Sequence, residues 1–238
     1  MEKVVCTGCS LLCDDILIKN SETSFDEIIG ACLKGKERFE SAFSERRLLE
    51  PYVRIGGQLK KVSYKEALEK AIELLKESSK PLLYGFSTTN CETQKNSIKL
   101  AKKLNGFIDS NSSICQGKVL NKAAKKGITL TSITEVINKA DFILFWGFNA
   151  AESIPRLLNK ILFSRGKFRM TGREIKTFSI IDPVKTASFN VMGPRDLPLR
   201  INPDSDLELL RTLKQECCIN ENIPSKGVAG LDQDELKR

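Results

Sequence analysis

ADFILFWGFNA, residues 140–150, is the most decisive stretch of this 238-residue chain. Five bulky apolar residues, Phe142 to Trp146, stand between Asp141 and Gly147 without a polar interruption. A short apolar run bounded by turn residues describes a strand buried on both faces, the kind that parallel sheets use. A helical pattern, Ile133 to Ala140, leads into it, and a second helix is expected over 151–163. Working outward, PLLYGF (81–86), GFID (106–109), TFSIID (177–182) and LPLRI (197–201) read as further strands. Cys91 to Leu104 reads as a helix with Ile98, Leu100, Ala101 and Leu104 on one face, and Asp204 or Ser205 caps a last helix over Asp206 to Gln215. Strands alternating with helices predict an α/β fold with a doubly wound, mostly parallel sheet. Ligands of such sheets lie beyond the carboxyl ends of the strands. Ser87-Thr88-Thr89-Asn90, Gly147-Phe148-Asn149 and Asp182-Pro183 fall there.

Residues 1–62 read differently, as a small module of short strands. VVC and DILIK flank a run of cysteines, and YVRIGGQLKKV (52–62) is a strand–turn–strand with Gly56-Gly57 at the turn. Ser63 and Glu66 form a capping box that opens a helix to about Lys76. The expected division is therefore a module over 1–62, an α/β domain over 63–216, and the start of an incomplete segment over 217–238.

Cys6, Cys9, Cys13 and Cys32 are spaced C-x2-C-x3-C-x18-C. Four soft thiolates in that pattern suit a [4Fe-4S] cluster, with zinc as the competing reading. Zinc ribbons usually carry two separated C-x2-C knuckles, whereas three of these cysteines run together. Cys91, Cys217 and Cys218 have no partner motif and read as ordinary thiols. The start MEKVVC lacks a signal-peptide core and no apolar run is long enough for a membrane span, so a reducing cytoplasm without membrane association is the expected setting.

The net charge of +8 could suit nucleic acid, but no basic–aromatic interleaving or binding fingerprint accompanies it. Lys95, Lys99, Lys102 and Lys103 read as a solvated helix face. A polyanionic cofactor or an acidic partner subunit explains the charge as well. The chain has no histidine, so proton transfer would have to use carboxylates, Lys, Cys, Tyr or water.

CTGCSLLCDDI, CLKGKERF, LLYGFSTTNCETQ, IDSNSSICQGK, ADFILFWGFNAAESIPR, SRGKF, GRE and NPDSDLELL follow one another between residues 6 and 210. In that order they resemble the B-type subunit of formylmethanofuran dehydrogenase, within the molybdenum or tungsten bis-pterin oxidoreductases that include formate dehydrogenases. The resemblance implies a reversible reduction of carbon dioxide to formate at a metal held by molybdopterin guanine dinucleotide, with electrons from iron–sulfur clusters. Its partners would be the formyl-transfer, pterin-binding and ferredoxin-like subunits of a complex active in methanogenesis. Residue by residue, Cys6, Cys9, Cys13 and Cys32 match the cluster ligands, Lys34 a lysine between cluster and pterin, and Cys115 the ligand of molybdenum or tungsten. Gly147, Asn149, Arg156, Asp182, Thr186 and Asp206 match cofactor-binding positions.

The departures from the family pattern are specific. Gln116 stands where the family has histidine after the metal-ligand cysteine, Ala150 replaces the proline of Asn-Pro, Ile154 replaces the histidine before Pro-Arg, and Lys185-Thr186 stands for Arg-x-Thr. Pro203-Asp204-Ser205-Asp206 lacks the family's glycine. Glutamine can hydrogen-bond but cannot shuttle a proton. A non-catalytic, cluster-bearing electron-transfer or assembly subunit is therefore the alternative. The resemblance also implies that the chain stops about halfway through the family's subunit, as a split gene, a fragment or a shortened paralogue.

Overall fold

The computed structural model describes residues 1–167, 172–219 and 227–237. Phe168 of the SRGKF stretch and part of the 217–238 segment lie outside them. The chain groups into two compact units, Met1–Ser44 with Thr131–Arg238, and Glu45–Leu130, a grouping that cuts across the division expected at residue 62.

In the first unit, Glu2–Val4, Ile16–Asn20 and Phe25–Ile29 form an antiparallel sheet in chain order. Alternation decides its faces: Ile16 and Ile18 are buried while Leu17 between them is exposed. Ile16 packs with Cys6 and Cys13, and Val4, Leu11, Ile28, Ala31 and Phe39 close around them. The helix Leu33–Glu40 follows directly after Cys32.

The same unit holds a parallel sheet in the order Leu197–Arg200, Thr177–Asp182, Phe142–Trp146. The central strand is buried almost throughout, with Phe178 and Ile180 fully inaccessible. Ile143 pairs with Phe178 and Phe145 with Ile180, and these side chains form one core with Leu158, Ile161 and Leu162. Ile181 belongs to a second core with Ile201, Leu209, Val228 and Leu231. Phe142–Trp146, expected to be buried on both faces, is an edge strand. Its Ile143 and Phe145 are buried, but Phe142 and Leu144 remain 51% and 41% exposed. Continuous hydrophobicity could not separate these two cases, because side chains alternate between faces whatever their polarity.

The helix expected over 151–163 is broken. Ala150–Ser153 ends at Ile154, whose φ of −139° and ψ of 70° lie outside the helical region, which the proline that follows disfavours. A π-helical turn, Asn159–Phe163, resumes beyond. Lys176, fully buried, donates from Nζ to the carbonyls of Ile161 (2.6 Å) and Ser164 (3.0 Å), oxygens at the end of that turn.

In the second unit, Tyr52–Ile55 and Gln58–Lys61 form the expected hairpin, with Gly56 and Gly57 at φ +59° and +82° as a tight turn requires. The helix Tyr64–Glu77 opens on a complete capping box: Ser63 Oγ accepts from Glu66 N and Ser63 N donates to Glu66 Oε2. Leu82–Tyr84 and Phe107–Asp109 pair in parallel across the helix Cys91–Lys103, whose first turn Asn90 caps. Two helices absent from the sequence reading follow, Asn111–Cys115 and Gly117–Lys126. The fold is thus mixed α/β with parallel pairing as expected, though the parallel strands form two sheets, one in each unit. Among the described residues no helix is long and apolar enough to cross a membrane.

Candidate cofactor-binding site

Cys6, Cys9, Cys13 and Cys32 line one small cavity in the first unit, with Gly8, Gly35, Lys34 and Arg156. Cys6 and Cys13 are tied across the loop by the hydrogen bond from Cys6 N to the Cys13 carbonyl, 2.8 Å, and Leu12 takes a positive φ of 48° to turn the chain between them. Gly8 N points at Cys6 Sγ, 3.4 Å away. Gly35 brings the next segment against the same sulfur: a Cβ there would lie 3.1 Å from Cys6 Sγ and 3.8 Å from Cys32 Sγ. Cys32 is the N-cap of Leu33–Glu40. The four thiols share a cavity without gathering into a single-ion site, since among the described residues no group of three or more His, Cys, Asp or Glu does so. Lys34 lies at the cavity and donates from Nζ to the Ser153 carbonyl, 3.3 Å.

Arg156, matched by resemblance to a cofactor contact, stands at this cysteine cavity. Its guanidinium grips Asp15 with two bonds of 2.6 Å, joining residues 141 positions apart, and Lys160 approaches the same carboxylate at 3.8 Å. The hydrogen-bonded guanidinium holds the Asp15 carboxyl down at about 2, from an ordinary 3.8. Asp15 in turn raises the Arg156 pKa, and the Cys13 sulfur beside it acts in the same direction. A carboxylate with a depressed folded-state pKa stabilises the fold above its unfolded value and loses that contribution as pH falls toward the folded value. Wild type should therefore melt above the Asp15→Asn variant at pH 5 and higher, and the gap should close between about pH 4 and pH 2. Thermal unfolding of both proteins across that range checks it.

The second group of candidates lies at the carboxyl ends of Phe142–Trp146 and Thr177–Asp182. Gly147 has a φ of +58°, and a Cβ there would meet nothing within 4 Å, so its backbone is open to a neighbour. Asn149 Oδ1 accepts from Ser188 Oγ (3.0 Å), which itself accepts from Ala151 N (3.0 Å). The Asn149 side chain is thereby fixed against the loop after Asp182. Asp182 is buried at 7% exposure, and its Oδ1 accepts from Val184 N at 2.9 Å. Thr186 Oγ1 is buried without a hydrogen-bond partner. A buried hydroxyl left unpaired is costly, so a polar ligand group at this loop would satisfy it. Together with the open backbone at Gly147, it fits the edge of a nucleotide-bearing cofactor. Asp206 is engaged differently: Trp146 Nε1 donates to its Oδ1 at 2.5 Å, and it stands in the first turn of Asp206–Ile219.

Cys115 and Gln116 belong to the second unit. Cys115 ends the helix Asn111–Cys115 and is exposed, and Gln116 is the junction between that helix and the next. Ser112 of the same helix lines an open groove with Gly85, Ser87, Gln94, Asp109 and Ser110, beyond the ends of the two parallel strands. Of the SerThrThrAsn turn singled out in sequence, Ser87 reaches the groove, while Thr89 and Asn90 fold into local caps. Sequence reasoning assigned no role to Asp15, Trp146 or Ser188. Asp15 sat in the DDI tail of the cysteine motif, but nothing local in the sequence couples it to Arg156.

The chain belongs to the molybdopterin oxidoreductase family: residues 47–222 match the sequence-family model of that description, and it is an oxidoreductase-family protein. Among curated relatives, it is 33% identical over 217 residues to the B-type subunit of the tungsten-containing formylmethanofuran dehydrogenase 2 of Methanocaldococcus jannaschii, covering 90% of this chain and 49% of that protein. It is 31% identical over 243 residues to the protein of the same name from Methanococcus maripaludis, covering 99% and 54%. The chain thus spans about half the length of these relatives. A solved structure of the formyltransferase/hydrolase complex from Methylorubrum extorquens with methylofuran aligns at a TM-score of 0.43 and 20% identity, over 57% of this chain and 36% of that one, too loosely to carry weight.

Proposed function

We propose that the chain acts as the B-type subunit of a formylmethanofuran dehydrogenase, in the reversible reduction of carbon dioxide to formate within a cytoplasmic multisubunit complex. The observation that carries this reading is the convergence of Cys6, Cys9, Cys13 and Cys32 on one cavity with Lys34 and Arg156, in a chain of the molybdopterin oxidoreductase family. In this reading the four thiolates hold a [4Fe-4S] cluster, which the C-x2-C-x3-C-x18-C spacing suits better than zinc. When bound, a molybdopterin guanine dinucleotide carrying tungsten or molybdenum supplies the two-electron chemistry at carbon. The names of the relatives favour tungsten.

The chain's own residues position and balance charge. Cys115 offers an accessible thiolate as metal ligand, and Gln116 can orient a neighbour by hydrogen bonding without transferring a proton. Gly147, Asp182 and Thr186 offer open backbone, a buried carboxylate and an unpaired hydroxyl for the dinucleotide. Lys34 supplies a cation at the cluster cavity. The absence of histidine favours a second reading, a cluster-bearing electron-transfer or assembly subunit without chemistry of its own. Formate-dependent reduction of a viologen dye by the anaerobically purified protein, with the polypeptides that accompany it, separates the two. Turnover supports the catalytic role. Fully metal-loaded protein without turnover would favour the second.

A further inference from the structure

We propose that Arg156, in the wall of the cysteine cavity, sets the reduction potential of the cluster held there, and that Asp15 holds the guanidinium in place and offsets its charge. This rests on the cluster reading above and goes beyond ligand identity. Arg156 lines the cysteine cavity and is itself only 23% exposed, while Asp15 is 45% exposed. Its position is rigid. Pro155 precedes it, Leu158 two residues on is a core residue at 4% exposure, and both guanidinium arms are taken up by the two 2.6 Å bonds to Asp15. Arginine cannot lose its proton under any condition the protein survives, so its charge at the cavity is permanent.

Reducing the cluster by one electron adds one negative charge, shared with the ligand sulfurs. A fixed cation in the wall of the same cavity stabilises the reduced form, and charge near the cluster is an established lever on its potential. Asp15 works in the opposite direction on the same group. Arg156 is thus a positioning residue with an electrostatic effect, and the pair makes predictions of opposite sign. A purely structural clasp would not, because removing either partner would loosen the loop in the same way.

The test is a redox titration of the cluster's electron paramagnetic resonance signal in anaerobically purified protein with its accompanying polypeptides, after iron has been measured. Arg156→Gln should lower the equilibrium constant for reduction about tenfold, a midpoint about 59 mV more negative for a one-electron couple. Asp15→Asn should shift the midpoint the other way, and Arg156→Lys should stay closer to wild type than Arg156→Gln. Unchanged midpoints in iron-replete Arg156→Gln and Asp15→Asn, or shifts of the same sign, would overturn the proposal. Should Arg156→Gln lose its iron, Asp15→Asn decides: a midpoint more positive than wild type supports the proposal, and an unchanged or more negative one overturns it. Iron-free wild-type protein would overturn the cluster reading itself, and this inference with it.

Discussion

Replacing Cys115 with alanine is expected to lower formate turnover by more than 100-fold while leaving the iron content of the complex unchanged. Cys115 is exposed at the end of a five-residue helix, so its removal opens no cavity in a core. Exposed substitutions of this kind usually change stability by no more than about 0.5 kcal/mol. A loss of turnover would therefore be chemical. Removing groups that merely orient a metal ligand costs about 10–100-fold, and removing the ligand itself should cost more. The four clustered cysteines lie in the other compact unit, so iron should stay bound. Viologen-linked formate oxidation together with iron and tungsten or molybdenum analysis reads both quantities. Unchanged turnover would favour the non-catalytic role that Gln116 and the missing histidine raise.

The largest stability effect is expected at Asp196, a residue outside the candidate site. Its side chain is 1% exposed and ion-paired with Arg173, and it accepts from Phe178 N at 3.0 Å and Gly193 N at 2.6 Å. One carboxylate thus fixes the central strand of the parallel sheet, the turn before the next strand, and a guanidinium from a third segment. Asp196→Ala leaves that cation and two backbone donors without their acceptor. Breaking one side of a buried pair in this way costs about 3–5 kcal/mol. Asp196→Asn, which keeps an acceptor oxygen but loses the charge, should cost less. Urea unfolding of the two variants checks the order, and a loss below about 1 kcal/mol for Asp196→Ala would contradict the account.

Much of this was legible in the sequence because it is locally encoded. Ser63-Tyr64-Lys65-Glu66, Gly56-Gly57 and the apolar run at 142–146 each set a cap, a turn or a strand within a few residues. The cysteine spacing likewise sufficed to identify the four thiols that share a cavity. What escaped depends on distant partners. Phe142–Trp146 reads as a fully buried strand, but alternation sends Phe142 and Leu144 to a face of the sheet that is not fully covered, and nothing local in the sequence marks that. The break at Ile154 was signalled by Pro155, but the apolar residues on either side matched a continuous helix. The pairs Asp15–Arg156 and Trp146–Asp206 join residues 141 and 60 positions apart, and neither has a local signature. Lys176, a lysine in full burial, donates to carbonyls at the end of the π-helical turn, partners that no local sequence pattern announces.

The central claim is that the cysteine cavity and the molybdopterin-oxidoreductase fold serve one redox centre. Metal and nucleotide analysis of the anaerobically purified protein with its accompanying polypeptides tests it most directly. The account predicts about four irons for the Cys6–Cys32 cavity, together with tungsten or molybdenum and a guanine nucleotide released on denaturation. Protein that carries a single zinc, no iron and no pterin metal would contradict it.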